Sequence, residues 1–255
     1  MKAIITGSEG FIGRALASAL QSRGAEVIGI DRKNGQEARQ IRQFAPDDVD
    51  AVFHLAAQTS VFNTDIPAIV EDNIIDFIEV CQFCEEKGVK LVYASSSTAN
   101  PCNTTSMYGI SKRFNEQFAS LYLPSATGVR LHNVYGPSPR QGTLLWYLLN
   151  QPKVTLYNNG ETLRHFTYIG DIVEGLVYAY ASNKQLINVA NPVANTIRDF
   201  SSLVQLHNHV EIECVAETRE RDNFLQAVNE DVYTVPLQYT PIFEGIERVF
   251  KPELR

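Results

Sequence analysis

The chain has 255 residues and is acidic, with 22 basic against 29 acidic side chains and a formal net charge of -7. Its content of 44% hydrophobic and 20% charged residues is that of an ordinary globular protein, and no basic cluster offers a footprint for a phosphate backbone, so we expect no nucleic-acid partner. We see no signal-peptide pattern and no apolar run long enough to span a bilayer, which predicts a cytoplasmic protein with no membrane partner.

A glycine-rich turn follows the first predicted strand, Lys2–Thr6. Gly7, Gly10 and Gly13 lie in this turn, and a helical pattern begins directly after it. Glycines allow the backbone to approach a pyrophosphate closely, and the free N–H groups at the start of a helix attract its negative charge. Strand, glycine turn and helix together predict a dinucleotide-binding site.

The second predicted strand, Glu26–Ile30, ends at Asp31, eighteen residues beyond Gly13. A carboxylate at this position accepts hydrogen bonds from an adenosine ribose and repels a 2'-phosphate, so it favours NAD over NADP. The alternative is an aspartate of a solvated turn. The neighbouring Arg32 leaves NADP open as a second choice.

Only nineteen residues, 32–50, separate this strand from the next one, residues 51–55. A doubly wound fold usually has a strand and a helix in this interval, so we expect both to be short or degraded. His54 lies inside the apolar run and is interpreted as a packed core residue. Ala56 and Ala57 close the strand where a nucleotide would lie.

Residues 69–86 show a helical pattern that is apolar on almost every side. Such a helix must be covered on both sides, which predicts that a second subunit packs against it and that the protein is a homodimer. Asn73 could direct its amide toward the cofactor. Cys81 and Cys84 form an isolated pair within this helix and are interpreted as buried thiols, so no metal site is predicted.

The candidate catalytic residues follow the next strand, residues 89–94, which is followed directly by three serines, residues 95–97. Eleven residues after Ser97 comes Tyr108, and Lys112 follows it one helical turn later. A nearby ammonium group favours the phenolate and lowers the pKa of a tyrosine, so this pair predicts a general base. The alternative is a pair on the surface of a helix.

Further elements predict a smaller second lobe: a strand at residues 186–190, a helix capped by Thr196 and Asp199, a strand at 211–215 and a final helix over Ile242–Phe250. The sequence therefore predicts an α/β fold, a Rossmann-type doubly wound parallel sheet with a smaller C-terminal α/β substrate lobe. We assign residues 1–135 and 163–192 to an NAD-binding domain, and residues 136–162 and 193–255 to a substrate-binding lobe.

Seven motifs in this order resemble those of the extended short-chain dehydrogenase/reductase family, in its nucleotide-sugar epimerase and dehydratase branch. They are the glycine turn from Thr6 to Gly13, Asp31, His54-Leu55-Ala56-Ala57-Gln58, Ser95-Ser96-Ser97, Tyr108-x-x-x-Lys112, Asn133-Val134-Tyr135-Gly136-Pro137, and the segment from Arg164 to Val173. The residues of the later motifs are most similar to those of UDP-glucuronate and UDP-hexose 4-epimerases.

The resemblance implies NAD as the cofactor, held by the residues already noted. Gly7, Gly10 and Gly13, with the N–H groups of Phe11 and Ile12, would hold the pyrophosphate, Asp31 the adenosine ribose, and Lys112 the nicotinamide ribose. Leu55, Ala56, Ala57, Asn73 and Tyr108 complete the expected cofactor contacts.

The resemblance also implies a nucleotide-sugar substrate and assigns roles to residues around it. Tyr108 would be the base, and Ser97 would hydrogen-bond the sugar hydroxyl that is oxidised. Three residues would contact the pyrophosphate of the nucleotide: Asn133, Arg164 and Arg219, the last within Arg219-Glu220-Arg221-Asp222. Arg221 stands where the family has glycine.

The implied reaction is transient oxidation of the sugar at C4 with return of hydride, as in an epimerase. Dehydratases of the family carry an Asp-Glu pair directly after the position of Ser96, where this chain has Ser97-Thr98-Ala99 instead, which argues against dehydration. A keto-reductase that consumes NAD(P)H, or an NAD-binding regulatory protein without turnover, remain as alternatives. The segment from Ser97 to Tyr108 is shorter than in relatives, and residues 40–43 resemble a degraded Asp-Ile-Arg-Asp, which would weaken the contact with adenine.

Overall fold

The computed structural model describes residues 1–103, 105–219 and 228–251. Its strands in chain order are β1 (Lys2–Thr6), β2 (Glu26–Ile30), β3 (Ala51–His54), β4 (Lys90–Ser96), β5 (Thr127–Leu131), β6 (Val134–Tyr135), β7 (Lys153–Leu156), β8 (Leu163–Arg164), β9 (Thr167–Tyr168), β10 (Leu186–Val189), β11 (Asn195–Thr196), β12 (Glu211–Cys214) and β13 (Tyr233–Thr234). Its helices are α1 (Phe11–Ser22), α2 (Ile41–Phe44), α3 (Ile66–Val70), α4 (Asp76–Lys87), α5 (Met107–Tyr122), α6 (Leu144–Asn150), α7 (Ile169–Ala181), α8 (Ile197–Gln205) and α9 (Ile242–Phe250).

Seven parallel strands form the central sheet in the order β2-β1-β3-β4-β5-β10-β13. Apolar residues of β1, β3 and β4 are buried on both faces, as a sheet with helices on both sides requires. The strand order reverses between β1 and β3, and this reversal leaves a crevice at the carboxyl ends of the strands. The predicted Rossmann-type α/β fold is therefore confirmed.

The interval between β2 and β3 is simpler than the sequence suggested. It holds two short helical turns, Arg32–Asn34 and Ala38–Gln40, and the single turn of α2, but no strand. The expectation of a short or degraded strand is therefore wrong, because the strand is missing and β2 forms the edge of the sheet. Ile41 anchors the interval through complete burial in the core.

The long helix predicted at residues 69–86 is formed by α3 and α4. The two are joined by a π-helical turn over Glu71–Ile75, which is wider than a turn of α-helix and is called the wide turn below. One face packs on the sheet through Phe77 and Val80. The helix is not apolar on all other sides, because Asp72 and Asp76 are also buried. The wide turn changes which residues point inward, which a regular helical pattern does not anticipate.

The smaller lobe contains α6, α8, α9 and two short strand pairs, β7 with β12 and β8 with β11. Leu148, Phe200 and Ile246 are central to its core. The predicted cap of α8 is present, since the Thr196 and Asp199 side chains each accept from the other's backbone N–H. The predicted domain boundary needs one correction: β13 lies in the main sheet, where it pairs with the otherwise open side of β10.

Cys81 and Cys84 are buried in α4 as plain thiols, and burial raises the pKa of Cys81 to about 12. Among the residues that the structure describes, no helix is both long enough and apolar enough to cross a membrane.

Candidate active site

A cavity of about 630 Å³ lies in the crevice at the carboxyl ends of β1 to β5 and extends to the smaller lobe. Every predicted site residue except Asn73 lines this cavity. The Rossmann lobe contributes the glycine turn, and the smaller lobe contributes residues around β7 and α8. The site therefore lies between the two lobes, as expected of a nucleotide-sugar site.

The glycine turn is built so tightly that side chains would disrupt it. Gly7 has a φ of 73°, and a Cβ there would lie 2.7 Å from the backbone nitrogen of Ala56. A Cβ on Gly13 would lie 2.1 Å from the carbonyl oxygen of Gly7. The bare backbone before α1 leaves room for a pyrophosphate, and the chain thus fits a dinucleotide at this position. Phe11 and Ile12 begin α1 beside it.

Asp31 connects the end of β2 to the glycine turn. Its carboxylate accepts hydrogen bonds from the backbone N–H groups of Lys33 and Glu9, each at 2.9 Å. Each carboxylate oxygen keeps a lone pair for a ribose hydroxyl. Arg32 is engaged elsewhere, because it forms ion pairs with Asp72 and Glu37, which compete with a 2'-phosphate for its guanidinium.

Leu55, Ala56 and Ala57 line the cavity beyond β3, in keeping with their predicted contact with the cofactor. Asn73 does not reach the cavity. Its amide nitrogen donates to the backbone oxygen of Gln58 and to Ser111, both at 3.0 Å, and its oxygen accepts from the backbone nitrogen of Gln58 at 2.7 Å. The predicted cofactor contact is corrected to a structural role, because these bonds fix the loop after β3.

Tyr108 and Lys112 lie on α5 and both line the cavity. The Lys112 ammonium donates to the Ala94 carbonyl at 3.0 Å, and burial lowers its pKa to about 8 although the Glu116 carboxylate acts in the other direction. Burial raises the pKa of Tyr108, while the Ser96 hydroxyl and the charge of Arg140 act to lower it. The expected lowering of the phenol pKa is therefore absent in the protein alone.

The serines at the end of β4 are divided between two roles. All three lie in the cavity wall, but Ser95 donates to Glu116 at 2.5 Å, whereas Ser96 pairs with the Thr98 hydroxyl at 2.8 Å. Ser97 is the serine that the sequence singled out, but Ser96 is the one whose hydroxyl acts to lower the pKa of Tyr108. The sequence did not single out Ser96. The last residue of β4 is Ser96, and a helical turn begins at Ser97, but a run of three serines does not reveal where the strand ends.

Arg140 is a second residue that the sequence did not single out. It lies in the loop before α6, lines the cavity, and hydrogen-bonds the Thr59 hydroxyl. Its charge acts on the Tyr108 phenol. The sequence around Arg140 has no helical or strand periodicity that would indicate its position. Its approach to Tyr108 depends on the tertiary fold.

The far end of the cavity contains the residues predicted to hold the substrate pyrophosphate. Asn133 follows β5 with a φ of 29°, a left-handed conformation that is costly for a residue other than glycine and typical of functional sites. Arg164 and Arg219 line the same end, and the Arg219 guanidinium stacks 3.6 Å from the centre of the Tyr157 ring. Residues 220–222 of the Arg219 motif lie outside the described residues.

His54 is a core residue, as predicted. It is 1% exposed, and its Nδ1 lies 2.9 Å from the Thr6 hydroxyl. Burial and the charge of Lys112 lower its pKa to about 3, so the ring is neutral at physiological pH.

Three carboxylates, of Glu37, Asp72 and Asp76, converge in the cavity wall. Arg32 pairs with Asp72 and Glu37, and Arg39 lies 3.8 Å from Asp76. These two guanidinium groups offset part of the negative charge of the cluster, but neither donates a hydrogen bond to the Asp76 Oδ1.

The model of the NAD dependent epimerase/dehydratase family matches residues 3–190 of the chain. Protein CapI of Staphylococcus aureus is 28% identical over 317 aligned positions that cover 99% of this chain and 94% of that protein. UDP-glucuronate 4-epimerase 4 of Arabidopsis thaliana is 29% identical over 231 positions, which cover 69% of this chain and 53% of that protein.

Among solved structures, UDP-glucuronic acid 4-epimerase from Bacillus cereus, in complex with UDP-glucuronic acid and NAD, has a TM-score of 0.76 at 21% identity. The match covers 100% of both chains. At this identity the likeness supports the fold. The match to an NAD-dependent family confirms NAD as the cofactor.

Proposed function

Since the chain belongs to the NAD-dependent epimerase/dehydratase family of enzymes that act on nucleotide sugars, we propose that it is a nucleotide-sugar 4-epimerase, with a UDP-hexose or UDP-hexuronate as its substrate. The observation that carries the proposal is that Tyr108, Lys112 and Ser96 line one cavity together with Arg164 and Arg219. A base near the nicotinamide site and two cations for a diphosphate match the two ends of such a substrate.

Tyr108 would remove the proton from the C4 hydroxyl and give it back at the end of the cycle. NAD held by the glycine turn and Asp31 would supply the hydride chemistry at C4, namely removal of the hydride and its return to the opposite face of the sugar. Lys112 would favour the phenolate by its charge, and Ser96 and Ser97 would orient the hydroxyl toward the phenol. Arg164 and Arg219 would hold the diphosphate while the sugar turns over.

The position of Arg140 favours a UDP-hexuronate over a UDP-hexose as the substrate. Its guanidinium lies close enough to influence the pKa of Tyr108, and a cation beside the sugar can form charge-assisted hydrogen bonds with a carboxylate of the substrate. A relative named UDP-glucuronate 4-epimerase, 29% identical over 69% of this chain, is consistent with this choice.

The direct test supplies the protein with NAD and separately with UDP-, dTDP- and GDP-linked hexoses and hexuronates, and follows products by NMR and the reduced cofactor by absorbance. The proposal predicts inversion at C4 of a UDP-sugar without net accumulation of reduced cofactor. Stoichiometric consumption of NAD(P)H by a keto-sugar would instead identify a keto-reductase. Absence of any product would contradict both and favour an NAD-binding protein without turnover.

We also propose that the protein is a homodimer built on the α3–α4 and α5 helices. Val70, Ile75 and Leu121 are exposed on these helices by 36%, 43% and 87%. Burial of apolar surface on this scale would stabilise a dimer. Light scattering at micromolar concentration tests the proposal, and the mass of a single chain would contradict it.

A further inference from the structure

The cavity wall contains a carboxyl group that the catalytic proposal does not use. Asp76 is 3% exposed and lines the cavity from α4, next to Ala38 and Glu37. Among the described residues, no group donates a hydrogen bond to its Oδ1, and the nearest cation, Arg39, is 3.8 Å away. A buried carboxyl oxygen without a donor costs free energy, so its retention calls for a partner.

The position of Asp76 along the cavity indicates what that partner is. The glycine turn lies where the pyrophosphate of NAD binds, and Asp31 lies where its adenosine ribose binds. Asp76 lines the same cavity, and its carboxylate lies within 4.8 Å of those of Glu37 and Asp72, which pair with Arg32, the residue next to Asp31. The base attached to that ribose would therefore come close to Asp76. The interval of residues 40–43 offers no competing polar group, since none of its residues lines the cavity.

Adenine presents an exocyclic amino group, which is a hydrogen-bond donor, beside ring nitrogens that accept. A carboxyl group accepts from that amine in either protonation state, and a protonated one also donates to a ring nitrogen. We propose that Asp76 recognises the adenine of NAD by accepting a hydrogen bond from its amino group. This contact selects adenine over a base that carries a carbonyl group at the same position.

The surroundings of Asp76 agree with this role. Burial raises its pKa to about 7, with Asp72 and Glu37 acting in the same direction and the cations Arg39 and Arg32 opposing them. At neutral pH the group is thus present in both forms, each of which can accept from the amine. Asp72 cannot fill this role as readily, because its carboxylate is engaged by Arg32 and by the amide of Gln58.

The test compares the binding of NAD with that of nicotinamide hypoxanthine dinucleotide, whose base has a carbonyl oxygen in place of the amine. Titration calorimetry without any sugar, at about pH 8.5, where the Asp76 carboxyl is ionised and cannot donate to that carbonyl oxygen, measures both dissociation constants, so the result does not depend on the proposed reaction. We expect the protein to bind NAD on the order of ten- to a hundredfold more tightly, the range for a hydrogen bond to a charged group.

The variants Asp76→Asn and Asp76→Ala should reduce this preference to about threefold or less, because the amide of asparagine can pair with either base and alanine with neither. Glu71→Gln is the matched control. It removes another carboxylate that pairs with Arg39 but is exposed and lies outside the cavity wall, and it should leave the preference unchanged.

Thermal melting of the protein without cofactor separates recognition from a structural role. Removal of a buried carboxyl whose Oδ1 accepts no hydrogen bond should leave the Tm of both variants equal to or above that of the parent protein. A parent protein that binds both dinucleotides equally would overturn the proposal. So would variants that retain the full preference, or variants that lower the Tm because the carboxyl stabilises the fold.

Discussion

Acidification should destabilise this protein through His54, and the size of the effect follows from its burial. The folded-state pKa of the ring is lowered to about 3, against 6.5 for an ordinary histidine. Because the unfolded chain binds the proton more readily, the contribution of His54 to stability is complete above pH 6.5 and is lost as the pH falls from 6.5 toward 3.

At about pH 5, roughly 1.5 units below the pKa of His54 in the unfolded chain, protonation of the unfolded chain lowers the free energy of unfolding by about 2 kcal/mol. Asp76 acts in the opposite direction over the same range, because its pKa is raised to about 7 and its burial becomes less costly as it is protonated. The pH dependence of the free energy of unfolding of the parent protein therefore combines both effects. The diagnostic quantity is the difference between the parent protein and a variant without the histidine.

Urea denaturation of the parent protein and of His54→Gln, at about pH 7.5 and about pH 5, measures this difference. We expect the parent protein to lose about 2 kcal/mol more than the variant between the two pH values. His209→Gln, which removes an exposed histidine, should behave like the parent protein. Equal pH dependence of the parent and His54→Gln would refute the conclusion that His54 is neutral because it is buried.

Three further changes test the site. Tyr108→Phe should retain NAD binding by calorimetry but lose turnover by about 10²- to 10⁴-fold, as expected for a general base, and undiminished turnover would disprove its role. Gly13→Ala should weaken NAD binding and lower the free energy of unfolding by about 1 to 3 kcal/mol, because its Cβ would strike the Gly7 carbonyl oxygen; unchanged binding and stability would contradict this. Arg140→Leu should raise the KM for a UDP-hexuronate by about tenfold and leave that for a UDP-hexose nearly unchanged, and an equal effect on both would exclude recognition of a carboxylate.

The sequence predicted the sheet well because its signals are local and strong. The apolar runs of β1 and β2 end at a glycine turn and at Asp31, and both strands occupy the predicted residues. The Thr196 cap was predictable for the same reason, since the side chains that satisfy the first N–H groups of a helix are close in sequence. The cofactor turn and the Tyr108 and Lys112 pair could likewise be located before the fold was known.

Features that depend on tertiary packing were not predictable from such patterns. The wide turn at Glu71–Ile75 lets Asp72 and Asp76 be buried, whereas a regular helix pattern treats both as surface residues. Arg140 comes from a loop, so nothing in its neighbourhood indicates that it meets Tyr108. The pKa of Tyr108 also depends on desolvation by distant elements, which outweighs the opposing effects of Ser96 and Arg140 in the protein alone.

The most direct test of the central claim uses UDP-hexuronate and UDP-hexose substrates that carry deuterium at C4, with NAD in catalytic amount. If Tyr108 supports epimerisation by hydride transfer to bound NAD and back, the 4-epimer should form and retain the deuterium at C4, as seen by NMR and mass spectrometry. Tyr108→Phe should form little of this product. A 4-epimer that has lost its deuterium, or no 4-epimer with either substrate, would contradict the account.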